Sequence, residues 1–175
     1  EELSDNANLR DQIRKICFSE SFIRATPGSK VKDNSKYSDY FKYCEKVDNL
    51  LVPKNSHRYL AIRRGWKDEE LTLSFGTMIE EKNSELVNND DAFHAKMIAL
   101  FESEILDHPN TPAIKVIQTA AKLALKVYVL PSIQNEMHKS LKEIADGVAI
   151  SVFANNLRKL LLAAPYGAKS VLGVD

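Results

Sequence analysis

The apolar residues between Ala113 and Leu162 keep one helical register for most of that distance, and this pattern constrains the fold more than any other. Ile114, Ile117, Ala121, Ala124, Leu125 and Tyr128 recur at the spacing of a single helix face, as do Ile133, Met137, Leu141, Ile144, Val148, Val152 and Asn155 after them. Pro131 falls between the two sets. It has no N–H and its ring crowds the preceding turn, so a kink or a new helix is expected there. The second stretch runs for roughly eight turns to Leu162 and is closed by Pro165 and Gly167. Gly147 inside it costs about 1 kcal/mol relative to alanine, which packing can offset.

A helix of that length needs partners, and the remaining sequence supplies them. Leu9, Ile13, Ile16 and Cys17 predict a first helix capped by Ser4 or Asp5 and ending near residues 19 to 22. TPGSKVKDN reads as a loop. Tyr37, Tyr40, Phe41 and Cys44 predict a second helix from about Ser35 to Asp48, its aromatic spacing that of a core face rather than of a base-stacking platform. Asn55 or Ser56 caps a short helix carrying Tyr59, Leu60 and Ile62 and stopping at Gly65. In ELTLSF, Leu71, Leu73 and Phe75 alternate with Thr72 and Ser74, the period of a half-buried strand. Its expected partner is the segment around Met78 and Ile79, or something outside the chain. Residues from Glu80 to Asp91 read as helix or loop, and DDAFHAKMIALFESEIL as a helix with Phe93, Met97, Leu100, Phe101 and Ile105 inward. Thr111 and Pro112 have the order of an N-cap and a first helical residue. The expected fold class is mainly α: a multi-helix domain with a long C-terminal helix and one small β element at about residues 70–79.

The net charge of zero conceals a segregation. Residues 10–67 hold 14 Lys or Arg against 6 Asp or Glu, residues 68–107 hold 2 against 11, and residues from 109 onward hold 8 against 4. A basic third can present a face to phosphates, or the acidic middle can fold back onto it. Chemistry is otherwise sparse. No phosphate-cradling glycine loop, GxSxG elbow, HExxH or CxxC occurs. His57, His94, His108 and His138 have no ligand spacing with one another or with Cys17 and Cys44, so no metal and no cofactor is expected. The two cysteines lie on apolar stripes and read as buried thiols of a reducing compartment. Ser56 and His57 point about 100° apart on a helix and form no nucleophile and base pair. The same holds for Glu80 with Glu81 and Asp90 with Asp91, which read as solvated charge. With 44% hydrophobic residues in 175, no run near the roughly 18 to 20 of a membrane span and no leader pattern, the expectation is a soluble, cytoplasmic, unsecreted domain. An opening of Glu1 and Glu2 without methionine suggests an excised piece.

Two blocks of the chain resemble the bacterial Tex transcription accessory proteins. Tyr37, Asp39, Tyr40 and Phe41 match that family's aromatic "RDYF" element, and Ser56, His57, Arg58, Leu60, Ala61, Arg64 and Gly65 match "SHRALALxRG", followed by a strand of the form "EGVLxLxL". Asn156, Leu157, Leu160, Leu161, Leu162, Pro165, Leu172, Gly173 and Asp175 match the long helix ending "NLxxLLLxAP" and the linker into "VLGxDPG". The blocks cover about half the chain in conserved order. EKVDNLLVPKN is longer than the family's link, Gly147 replaces a charged helix former, and Gly76 to Asn110 matches weakly.

The resemblance implies that residues 1–168 form the N-terminal helical domain. Residues 169–175 would be the truncated first strand of a YqgF-type, RNase H-like domain, with Asp175 where related nucleases hold their first metal carboxylate. It further implies a scaffold that positions RNase H-like and RNA-binding modules, works with RNA or DNA through the full-length protein, and is not itself an enzyme. The basic stretch marks Arg58, Arg63, Arg64 and Lys67, with Lys30 and Lys32 on the loop, as phosphate-contacting residues. The alternative is a protein interaction module of the transcription machinery that uses the helical surface or the Leu71 to Phe75 edge and binds no nucleic acid. A nuclease with its site beyond Asp175 is the third reading. A monomer, with no membrane partner, is expected.

Overall fold

Helix α1 (Ala7–Glu20) opens at Asn6, whose side chain accepts the N–H groups of Asn8 and Leu9 at 3.1 Å. The expected caps Ser4 and Asp5 lie outside the described residues; the computed structural model describes residues 6–80, 86–105, 114–165 and 167–174. Leu9, Ile13 and Cys17 are buried as their spacing predicts.

The next elements depart from expectation. Residues 22–27 form strand β1 (Phe22–Pro27), so the loop begins only at Gly28. The predicted helix from Ser35 to Asp48 is absent. In its place are turns, one turn of 3-10 helix at Ser38–Tyr40, strand β2 (Cys44–Lys46) and helix α2 (Val47–Leu51). Two causes are visible. The Ser35 hydroxyl accepts the Tyr37 N–H at 3.1 Å, a local bond that competes with helix. Beyond it, β2 finds a long-range partner, pairing antiparallel with β1 as Ile23 faces Glu45. The aromatics still serve the core: Tyr37 is buried, and Tyr40 and Phe41 pack against it.

Helix α3 (His57–Lys67) extends past Gly65, the expected stop. A Cβ there would meet Leu71 Cδ1 at 2.5 Å and Tyr37 Cδ1 at 3.1 Å, so this glycine lets the helix approach the sheet closely and is no terminator. Strand β3 (Leu71–Gly76) pairs with β1, not with the segment around Met78, giving the order β2-β1-β3. Met78 instead belongs to a separate pair, β4 (Met78–Glu80) with β5 (Leu86–Asn88). Part of the Glu80 to Asp91 segment is thus strand, Asp90 and Asp91 begin the next helix, and residues 81–85 lie outside the described residues.

Helix α4 (Asp90–Ile105) buries Phe93, Met97 and Phe101. Asp90 holds the end of the sheet in place: it binds Arg24 Nη2 at 2.7 Å and the Thr77 N–H at 2.7 Å. Burial alone would raise its pKa, but these donors outweigh it and hold the carboxyl below its usual range. Thr111 and Pro112 lie outside the described residues.

Helix α5 (Ile114–Ala124) continues through a wide π turn at Leu125–Val129 into α6 (Leu130–Leu161), one unbroken helix of 48 residues. The break expected at Pro131 does not occur. The Leu130 N–H bonds the Leu125 carbonyl five residues back, and this widened turn makes room for the ring. Leu125, Val129, Ile133, Met137 and Leu141 form its fully buried stripe. By length and composition this helix is apolar enough to cross a membrane, a correction to the expectation that no segment approaches a span. Core helices of soluble proteins pass the same test. Arg14 clamps α1 to α6 through Glu136, Nε to Oε2 2.6 Å, and that pairing holds Glu136 below the usual carboxylate range. Cys17 sits beneath, its thiol pushed up to about 12 by burial, while Cys44 is half-buried. The architecture is mainly helical, with a long C-terminal helix and a small three-stranded sheet.

Candidate nucleic-acid interface

Helix α3 carries four of the six basic residues singled out by the sequence, and the loop after β1 carries the other two. Arg58 lies in the first turn, where its Nη1 is 2.8 Å from Glu45 Oε1 of β2. Arg63, Arg64 and Lys67 lie in the last two turns.

The loop reaches the same end of α3. Gly28 and Lys30 donate their N–H groups to the Glu70 and Glu69 carbonyls at 2.9 and 3.0 Å. This brings Lys30, Lys32 and Lys36 against the turn Asp68–Glu70. Lys30 Nζ is 2.9 Å from Glu69 Oε1, Lys32 Nζ 3.8 Å from Glu70 Oε1, and Lys36 Nζ 3.4 Å from Asp68 Oδ2. The Tyr37 hydroxyl donates to Asp68 at 2.6 Å and, with Lys36, holds that carboxyl below its ordinary range. So the acidic middle of the chain does fold back onto the basic third, and Lys30, Lys32 and Arg58 are partnered. Arg64 and Lys67 are exposed and have no ion pair among the described residues. Their place at the C-terminal end of α3 also offsets its dipole.

Arg63 is set apart by an aromatic cluster that the sequence reading missed. The His138 ring stacks on Trp66 with centroids 4.8 Å apart and lies 4.6 Å from Phe75, while its Nδ1 is 2.8 Å from the Tyr59 hydroxyl. Arg63 donates to that hydroxyl at 3.2 Å and lies 5.6 Å from the centre of the Trp66 ring. Burial, reinforced by the Arg63 cation, lowers the His138 pKa to about 4, so the imidazole is neutral near pH 7. Trp66 stands in the sequence between Arg63, Arg64 and Lys67, an aromatic among cations that is itself a legible signal. His138 joins from α6 with no local signal at all. The cations left open to solvent are therefore Arg64 and Lys67, three residues apart on one side of α3, while Trp66, stacked on His138, points to another side.

A family model described as Tex central region-like matches residues 1–153, and the chain belongs to that family. Similar proteins include the uncharacterized protein YdcI of Bacillus subtilis, 33% identical over the whole of this chain and 22% of its own length. Protein tex of Bordetella pertussis is 31% identical over 98% of this chain and 21% of its own length. The transcriptional accessory protein Tex of Neisseria gonorrhoeae is 28% identical over the whole chain and 21% of its own length. The chain thus spans about a fifth of the length of these curated relatives.

Proposed function

We propose that this chain is the scaffold region of a cytoplasmic transcription accessory factor and that the free end of α6 seats adjoining parts of a longer protein. One observation carries the reading. From Ala149 to Leu161 every residue of α6 is exposed, yet the stretch includes Ile150, Phe153, Leu157, Leu160 and Leu161. Exposed apolar residues at this density mark a surface meant to be covered. Where the helix leaves the body, an open cleft is lined by Ser56, His57 and Leu60 on one side and by Val148, Val152, Phe153 and Asn156 on the other. Residues 169–175 are taken as the start of an RNase H-like domain; residues 169–174 form no strand within this chain, and Val171, Leu172 and Val174 are exposed there, open to pairing with what would follow. Hydrogen exchange on this chain and on the longer polypeptide tests the seating. Amides from Ile150 to Leu161 should exchange fast here and slow there; equal rates in both would remove the proposal.

The same reading gives Arg64 and Lys67 a role against a nucleic acid backbone in an otherwise monomeric protein, with Lys30 and Lys32 contributing once released from Glu69 and Glu70. Affinity for single- and double-stranded RNA and DNA should fall with salt. Arg64→Ala with Lys67→Ala should flatten the logarithmic slope by about 0.7 to 0.9 per lost contact. A slope near zero in the parent would instead favour a protein interaction module without nucleic acid, the reading that the pairing of Arg58, Lys30 and Lys32 supports.

A further inference from the structure

At the other end of the long helix, a groove of about 580 Å³ lies between α4 and α5, floored by Ala95, Ile98, Leu123 and Val127. Leu123 and Val127 are more than half exposed, and with Val116 and Ala120 they continue a stripe of spacing four, three and four along the helix. That is the spacing at which one helix packs its side chains against another. Along the α5 wall of the groove the charge is all of one sign. Residues 114–135 contain Lys115, Lys122 and Lys126 and no acidic residue, and none of these lysines has an ion pair among the described residues. Lys122 and Lys126, one turn apart, border the groove, with the Asp91 carboxylate lining it from α4.

We propose that this groove is a docking site for an amphipathic helix of a separate protein. Its apolar face would fill the space over Ile98, Leu123 and Val127, and its acidic edge would lie along Lys122 and Lys126. This goes beyond the scaffold reading, and only the choice of a separate protein as occupant rests on it. Leu123 is about 55 Å along the helix from Leu160, at 1.5 Å per residue, so the groove is remote from the end assigned to adjoining modules. A second copy of the chain is a poor occupant through that free end, which from Gly147 onward carries Arg158 and Lys159 and no carboxylate before Leu162.

The test uses the isotopically labelled chain and two short synthetic helical peptides with the same leucine and alanine face, one flanked by Glu and one by Lys. The acidic peptide should bind and shift the amides of Ala95, Ile98, Leu123 and Val127. Lys122→Glu with Lys126→Glu should weaken it by at least about tenfold and make the basic peptide the better ligand. Equal affinity for both peptides, shifts confined to another surface, or no binding would overturn the proposal. So would concentration-dependent dimerisation abolished by Leu123→Glu, which would identify a second copy as occupant. Binding to anionic phosphatidylglycerol vesicles lost with the same substitution would identify a membrane surface. A longer polypeptide in which the groove amides are already protected would place the occupant within the same protein.

Discussion

Two stretches of one helix, both apolar, have opposite fates. Between Leu125 and Ala145 the long helix turns a residue inward every fourth position, and Leu125, Val129, Ile133, Met137, Leu141 and Ala145 are all buried. From Ala149 onward no described residue is buried, although Phe153 and Leu160 are no less apolar. Hydrophobicity along the sequence is therefore not burial in the domain. What separates the stretches is that α1, α3 and the sheet cover the first, whereas the second has only an open cleft beside the start of α3. The first stretch builds this domain; the second is available to a partner.

The largest effect should come from cutting the first stretch. Met137→Ala or Ile133→Ala leaves a cavity in the core that α6 shares with the rest of the domain and should cost about 2 to 5 kcal/mol in urea unfolding. Phe153→Ala removes a larger side chain from an exposed position and should change stability by no more than about 0.5 kcal/mol in this chain. Equal losses at Met137 and Phe153 would break the comparison.

Acid attacks the first stretch alone. The folded-state pKa of His138 lies near 4, against about 6.5 for a solvated imidazole, because burial and Arg63 disfavour its charged form. The unfolded chain takes up this proton first. The contribution of His138 is therefore complete above pH 6.5, is lost as pH falls toward 4, and is constant below that. At about 1.4 kcal/mol per unit the loss is at most roughly 3 kcal/mol, less with partial solvent screening. Asp68, Asp90 and Glu136, whose pKa values are lowered, act at more acid pH, withdrawing their stabilisation as pH falls through the carboxylate range. His138→Phe should flatten the profile between pH 6.5 and 4 while leaving that acid limb. A parent profile already flat in this window would show that His138 is solvated.

Much of this arrangement was legible from spacing. The i, i+4 rows of α1, α4 and the long helix announced their buried faces, and the alternation in Leu71–Phe75 announced β3. What stayed hidden was decided by residues far apart in sequence. The short strand β1 holds only Ile23 and Ala25 inward, too few for a period to stand out beside the end of α1. Once β1 is present, β2 has a partner, and the helical spacing of Tyr37, Tyr40 and Phe41 loses to a sheet ladder. At the candidate interface, charge counting located the basic stretch but not its pairing. Only the fold shows that Glu69, Glu70 and Glu45 take up Lys30, Lys32 and Arg58.

Gly65 tests the packing that the second stretch lacks. Leu71 is buried and cannot swing away, so Gly65→Ala forces α3 off the sheet and should cost about 1 to 3 kcal/mol. Full stability in that variant would mean that α3 has room to shift.

The smallest effect sits where the two stretches meet. Gly147 lies just before the helix leaves the body, and a Cβ there meets nothing within 4 Å. Gly147→Ala introduces no clash and removes backbone freedom from the unfolded chain, which should stabilise the helix by about 0.5 to 1 kcal/mol. Whether urea unfolding registers that gain depends on cooperativity. If residues 147–161 melt together with the core, the midpoint rises with an unchanged slope. If the free end opens on its own, the gain appears only as slower exchange of its amides, and the global midpoint stays put. The second outcome is expected here, since no described residue from Ala149 onward is buried. A rise in the midpoint would show instead that the helix transmits order along its length, making it a rigid arm that fixes the orientation of whatever docks on it.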